Sequence, residues 1–192
     1  AVGKTFVGSA VARCLAESGE RVHVLKPVES GHETAGEWPA DALQLQQAAL
    51  RPGEELPDRA KVVPYVFAPP VAPTVAARQK GVCIEQSVIQ SSFEERSASC
   101  DWLIIEGAGG ISVPLTESLS MGDFAARNQL PTLIVARAGL GTLNHTLLTV
   151  EYARHRNIPL LGIVINSVDS ATDDPAIAAT PACLKSFASC LC

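Results

Sequence analysis

The stretch Asp101-Trp102-Leu103-Ile104-Ile105-Glu106 is apolar on both faces of any strand it forms. Such a strand must be covered by helices on either side, which is the setting of a parallel sheet. Three other runs read as strands of the same sheet: Arg21-Val22-His23-Val24-Leu25-Lys26-Pro27, Pro131 to Val135, and Leu160-Leu161-Gly162-Ile163-Val164-Ile165-Asn166. Helical spacing lies between them. Val7, Val11, Cys14 and Leu15 recur on one face of a helix over residues 4–18, stopped by Gly19. Further helices are predicted from near Asp41 to about residue 50, over 73–79, 84–96 and 121–128, and from the Gly139-Leu140-Gly141 turn to about residue 156. Strands alternating with helices define an α/β fold with a doubly wound parallel sheet and flanking helices.

The connections are less regular. Val28 to Glu37 reads as a polar, glycine-containing loop, and residues 51–70, rich in proline, as irregular chain with one short strand over 62–67. Beyond Ser167 the signal weakens, with a helix start at Asp173-Asp174-Pro175 and no further strand. A chain of 192 residues suits one core, so residues 1–192 are read as a single domain with an atypical segment at 167–192. Its net charge of −5 comes without any Lys/Arg run, which excludes the electrostatic footprint of a nucleic-acid or anionic-membrane binder and favours small polar ligands. No apolar run reaches the ~18 to 20 residues of a membrane span, so a soluble, cytoplasmic protein is expected. The six cysteines are scattered. They are read as reduced thiols, mostly small core hydrophobes, and Cys183, Cys190 and Cys192 fit no zinc pattern.

Chemistry gathers at the strand ends. Lys26, Glu106 and Asn166 each close a predicted strand, and in a parallel sheet those ends share one edge, where ligands of open α/β folds bind. At the other end of the chain Gly3-Lys4-Thr5 leads into a helix, as in the second half of a P-loop, whose backbone N–H groups and helix N-terminus cradle phosphates. In that reading Ala1, Val2, Gly3, Lys4, Thr5 and Phe6 bind nucleotide, Lys4 reaches the terminal phosphates, and the Thr5 hydroxyl binds Mg²⁺. The motif's opening glycine would fall before Ala1, so the P-loop NTPase-like sheet is expected here without its first strand. Glu106 adds a carboxylate for the metal, and Asp41 a second one or simply a charge suited to a helix N-terminus. Lys26 is a second cation near the transferred phosphoryl group. The turn Gly107-Ala108-Gly109-Gly110 allows close backbone approach to the nucleotide.

Gly3-Lys4-Thr5, Lys26-Pro27-Val28-Glu29-Ser30-Gly31, Asp41-Ala42, Glu106-Gly107-Ala108-Gly109-Gly110 and Gly139-Leu140-Gly141 with Asn144-His145 together resemble the ATP-dependent dethiobiotin synthetases of biotin synthesis. The likeness runs from Val2 to about Asn166. It implies a homodimeric, Mg-ATP-dependent ligase that closes a ureido ring on 7,8-diaminononanoate with CO₂. It also implies Lys26 as the catalytic lysine beside Lys4, and metal-associated positions at Thr5, Asp41 and Glu106. Ser30 resembles the substrate-contacting serine. Glu106, Gly107, Ala108 and Gly109 resemble nucleotide contacts, and Asn166 a contact at the base. The helix start after Gly141 resembles a seat for the substrate's acid tail across the dimer interface. Ser167 departs from the pattern, since the family's asparagine is usually followed by Asp. The alternative is a non-catalytic or partitioning-type P-loop ATPase of similar fold, in which the Lys26 to Ser30 segment has no assigned work.

Overall fold

The computed structural model describes residues 2–33 and 36–167, with Pro181 and Leu184. Its strands form three parallel pairs, β1 (Val22–Leu25) with β4 (Trp102–Ile105), β2 (Val28–Ser30) with β3 (Tyr65–Phe67), and β5 (Thr132–Arg137) with β6 (Leu160–Asn166). The helices are α1 (Lys4–Glu17), α2 (Ala40–Ala49), α3 (Arg59–Val62), α4 (Pro73–Gln79), α5 (Gln86–Ser97), α6 (Met121–Arg127) and α7 (Thr142–His155). This is the expected α/β arrangement of parallel strands with flanking helices. The chain divides into two compact units, residues 5–121 and residues 1–4 with 122–192.

In the first unit, α2, α3 and α5 pack on β1, and α4 lies against β2 and β3. The core joins Ala12 and Ala16 of α1 to Val22 and Val24 of β1, Leu45 and Ala49 of α2 and Val62 of α3, with Leu15, Trp38 and Ile104 packed around them. Small alanines one turn apart on α1 give a narrow apolar stripe that lets the helix approach closely. In the second unit α7 packs on β5 and connects it to the parallel β6, a βαβ crossover.

Several expectations are corrected. The buried face of α1 is Ala12 and Ala16, while Val11 and Cys14 are exposed, because Cys14 lies two residues from each alanine, on nearly the opposite side of the helix, and Val11 lies on its flank. Among the described cysteines none is core: Cys14 and Cys83 are exposed and Cys100 is intermediate. Val28 to Ser30 is strand β2, with Val28 and Glu29 buried, because the chain resumes pairing straight after Pro27. Residues 62–67 are not one strand. Asp58 caps α3 by accepting from the Ala60 N–H at 3.0 Å, so Val62 ends that helix and β3 starts only after Pro64. β5 and β6 are not buried throughout: β5 alternates, with Ile134 and Ala136 buried and Leu133 exposed, as a half-covered strand does, while β6 is part-buried along its length with Leu161 exposed. Ala1, the predicted helix start at 173–175 and Cys183, Cys190 and Cys192 lie outside the described residues.

The register of β1 on β4 is pinned at its start by Arg21, whose Nε and Nη2 donate to the two oxygens of Asp101 at 3.1 and 2.8 Å while its backbone N–H donates to Oδ2 at 2.9 Å. The Arg21 hydrogen bonds hold the Asp101 carboxyl down at about 2, from 3.8. A carboxylate whose pKa is depressed by folding stabilises the fold above its unfolded value and loses that contribution as pH falls toward the folded one. Asp101→Asn is therefore expected to flatten the acid limb of stability between pH 3.8 and about 2, read from urea midpoints at pH 5, 3 and 2. Because both side chains are in solvent, the effect is small and shrinks in salt.

Candidate active site

The parallel register sets Leu25 opposite Ile105, so the next residue on each strand, Lys26 and Glu106, meets its neighbour across the sheet edge although 80 positions separate them in sequence. The Glu106 backbone N–H donates to the Leu25 carbonyl at 3.0 Å, extending the ladder to that point. Lys26 Nζ then donates to Glu106 Oε1 at 2.8 Å and to Asp41 Oδ2 at 3.0 Å. The Thr5 hydroxyl donates to the same Glu106 oxygen at 3.0 Å. Four of the expected site residues thus form one cluster within the first unit.

Its electrostatics are those of a buried cation. Lys26 is 3% exposed and Glu106 7%. Burial pulls the Lys26 ammonium down, but the charge and hydrogen bond of Glu106, with Asp41 and Glu29 behind them, more than offset it and hold Lys26 above its ordinary value. A strand-end Glu and a Lys before Pro are often merely solvated; here neither is. Asp41, in the first turn of α2, is both a favourable charge at a helix N-terminus and a partner of Lys26.

The oxygen set suits a hard cation. Glu106 Oε2 is buried without a hydrogen-bond partner, and the Thr5 hydroxyl and the half-exposed Asp41 carboxylate stand with it around Lys26. Among the described residues no three His, Cys, Asp or Glu side chains are placed to hold a metal ion by themselves. Two carboxylates and a hydroxyl are the type of set to which Mg²⁺ adds phosphate oxygens and water.

None of the remaining expected residues takes part in these hydrogen bonds. Lys4 opens α1 and its side chain makes no hydrogen bond or ion pair among the described residues, and Phe6, two residues on, is exposed. In the second unit Asn166 ends β6 and its Nδ2 donates to the Val2 carbonyl at 3.1 Å. Gly3 sits between them at φ +84°, where a Cβ would fall 2.1 Å from Asn166 Nδ2, so this position tolerates only glycine. Ser30 ends β2. Gly107, Ala108 and Gly109 follow β4 and lead into a turn over residues 110–113, closed by the Val113 N–H on the Gly110 carbonyl at 3.0 Å. α7 starts at Gly141, φ +86°, with no side chain capping its first turn. A cavity of about 350 Å³ lined by His32, Arg59, Val66 and Lys80 includes none of the clustered residues.

Sequence reasoning missed Glu29. Buried on β2, it accepts from the backbone N–H groups of Asp41 at 3.1 Å and Ala42 at 3.0 Å. Burial pushes its carboxyl up, against the lowering pull of Lys26 and of those two N–H groups. A carboxylate three residues past Lys26 was the available signal, hidden because the segment reads as a loop.

Parallel α/β units, a Gly-Lys-Thr helix start and a strand-end Lys–Glu pair define a P-loop protein, and the model of a P-loop family described as an AAA domain matches residues 1–188. An ATP-dependent dethiobiotin synthetase BioD of Anaeromyxobacter dehalogenans (strain 2CP-C) is 43% identical over 176 residues, 92% of this chain and 76% of that protein. Proteins of the same name from Anaeromyxobacter sp. (strain K) and Bacillus cereus (strain G9842) are 40% and 37% identical, covering 94% and 86% of this chain and 78% and 66% of their own lengths. The chain belongs to the ATP-dependent dethiobiotin synthetase family.

Proposed function

We propose that this protein is a ligase that uses ATP to close a ureido ring on 7,8-diaminononanoate with CO₂, giving dethiobiotin, ADP and phosphate. One amine takes up CO₂ as a carbamate, releasing a proton. A carbamate oxygen then attacks the γ-phosphorus of ATP, forming a mixed anhydride as ADP leaves. The second amine attacks the carbonyl carbon and gives up a proton, the C–O bond to phosphate breaks with its electron pair leaving on phosphate, and the ring closes. Two anions must meet in the middle step, so the chemistry asks for fixed positive charge rather than for a base.

The observation that carries this reading is the Lys26 ammonium, buried between Glu106 and Asp41. Its raised pKa keeps it protonated through neutral pH, which suits charge stabilisation and argues against a role in removing protons. Lys26 serves as the cation at the carbamate and γ-phosphate, and Lys4 as a second cation on the terminal phosphates. Residues 1–6, the Glu106 to Gly109 turn and Asn166 bind the nucleotide. Ser30 orients the diamine. Oxygens of Thr5, Asp41 and Glu106 would hold Mg²⁺, which would supply further neutralisation of phosphate charge. The uncapped N-terminus of α7 suits the substrate's carboxylate, and Leu140 and Leu148 beside it, 86% and 60% exposed, offer apolar surface for a second copy of the chain. A homodimer follows, in the cytoplasm, where ATP and bicarbonate are supplied.

The test is phosphate release by the purified protein in Mg-ATP and bicarbonate. Release that depends on diaminononanoate, with dethiobiotin formed in equal amount, is expected. ATP turnover indifferent to the diamine would identify a nucleotide switch instead and end this reading.

A further inference from the structure

The first N–H groups of a helix need acceptors, and α2 has no local one: its N-cap residue is Pro39, which makes no side-chain capping bond. Both carboxylate oxygens of Glu29 fill that place from another element, one on the Asp41 N–H and one on the Ala42 N–H. Lys26 and Glu29 are three residues apart on one short segment, and Asp41 returns a side-chain bond to Lys26. A closed circuit results, running from Lys26 along the backbone to Glu29, across to the first turn of α2, and back through Asp41. The Asp41 side chain is half exposed, so on its own it would exchange its ion pair for water at little cost. Pinning its backbone removes that freedom. The bond from Glu29 to Ala42 fixes the helix axis as well as the single residue.

We propose that Glu29 is a positioning residue for the reaction: by capping α2 from β2 it holds Asp41 against Lys26 and so fixes the lysine's ammonium group. This rests on the reading of Lys26 as the cation at the transferred phosphoryl group. Glu29 itself touches no substrate. Its influence runs through hydrogen bonds to two backbone amides, and this gives a prediction that direct contact would not: a cap supplied from elsewhere replaces it. Pro39 has φ −63° and ψ 146°, an extended conformation in which an N-cap serine accepts from the N–H groups Glu29 now serves.

The test compares wild type, Glu29→Gln, Pro39→Ser and the double variant in the full chain. The amide of Glu29→Gln accepts one N–H and presents a donor to the other, so kcat is expected to fall about 10- to 100-fold, as a misplacement near 1 Å does, with KM for ATP changed less than about threefold. Adding Pro39→Ser is expected to recover most of that loss, and Pro39→Ser alone to leave the rate near wild type. A second readout needs no activity. Acetylation of Lys26 by trace acetic anhydride, mapped by mass spectrometry, should quicken several-fold in Glu29→Gln and slow again in the double variant. Unchanged kcat and unchanged Lys26 labelling in Glu29→Gln would overturn the proposal. So would a loss carried in KM for the diamine that Pro39→Ser fails to restore, since that pattern belongs to a substrate contact. If Glu29→Gln does not fold, a folded and active double variant supports the capping role and an unfolded one overturns it. Should wild type show no diamine-dependent phosphate release, the proposed function fails, and the labelling comparison still decides the place of Glu29.

Discussion

Lys26→Ala is expected to abolish diamine-dependent phosphate release, lowering kcat by about 10²- to 10³-fold, the usual cost of deleting one preorganised electrostatic contact to a developing charge. The loss should fall on kcat more than on KM for ATP, because the place proposed for Lys26 is at the reacting end of the nucleotide rather than along it. A second effect follows from burial. Without the ammonium, Glu106 keeps only the Thr5 hydroxyl as a partner while remaining 7% exposed. A buried charge stripped of its counter-charge costs about 3–5 kcal/mol, unless it takes up a proton instead. The variant should therefore unfold at lower urea than wild type. Lys26→Met separates the two effects by filling the volume without the charge. Urea unfolding between pH 5 and 9 and phosphate release at saturating ATP check both. A variant that keeps a tenth of wild-type kcat would remove Lys26 from the chemistry.

The site was legible in the sequence wherever it depended on backbone topology. A parallel sheet collects its strand ends on one edge, so an apolar run ending in Glu106 and another ending in Lys26 were bound to be near neighbours, and the register puts them side by side. What was not legible is set by side chains meeting across elements. Asp41 reads as a carboxylate near a metal or as a helix-end charge, and nothing in its neighbourhood names Lys26 as its partner. β2 is three residues long, too short for period-2 alternation to register, and Pro27 before it reads as a strand terminus. Glu29 disappears with that strand. The face of α1 was misjudged for a related reason: Val7 and Val11 carry more apolar weight than Ala12 and Ala16, but close approach to α2 favours the smaller side chains. Gly8 shows the tightness, since a Cβ there would lie 2.9 Å from Leu45 Cδ2. Gly3 was read as part of a phosphate loop, and the contact that makes it obligatory, Asn166 Nδ2, comes from the other end of the described chain.

Glu106→Gln is expected to be the most damaging conservative change in the protein. It keeps an oxygen for the Thr5 hydroxyl and Lys26 but removes the charge that holds the buried ammonium, leaving it the half-exposed Asp41. It also sets an NH₂ group where Glu106 Oε2 now lies buried without a partner. The unpartnered amide costs about 1–3 kcal/mol and the poorly compensated ammonium a similar amount or more, so a loss of roughly 3 kcal/mol in unfolding free energy is expected. Phosphate release should drop by about 10²-fold or more, since both the buried cation and the proposed metal set lose their shared carboxylate. The pH dependence distinguishes this cause from a general packing defect. In wild type the Lys26 pKa is raised by folding, so its contribution is complete below the unfolded value of 10.5 and lost as pH rises through the folded one. In Glu106→Gln, desolvation is no longer offset and should carry the folded pKa below the unfolded value. Stability should then rise with pH up to about 10.5, a range in which this group leaves wild type flat. Denaturant midpoints measured from pH 7 to 10.5 decide it: parallel curves for the two proteins would mean that Glu106 does not set the charge state of Lys26, and the electrostatic account of the site would have to be given up.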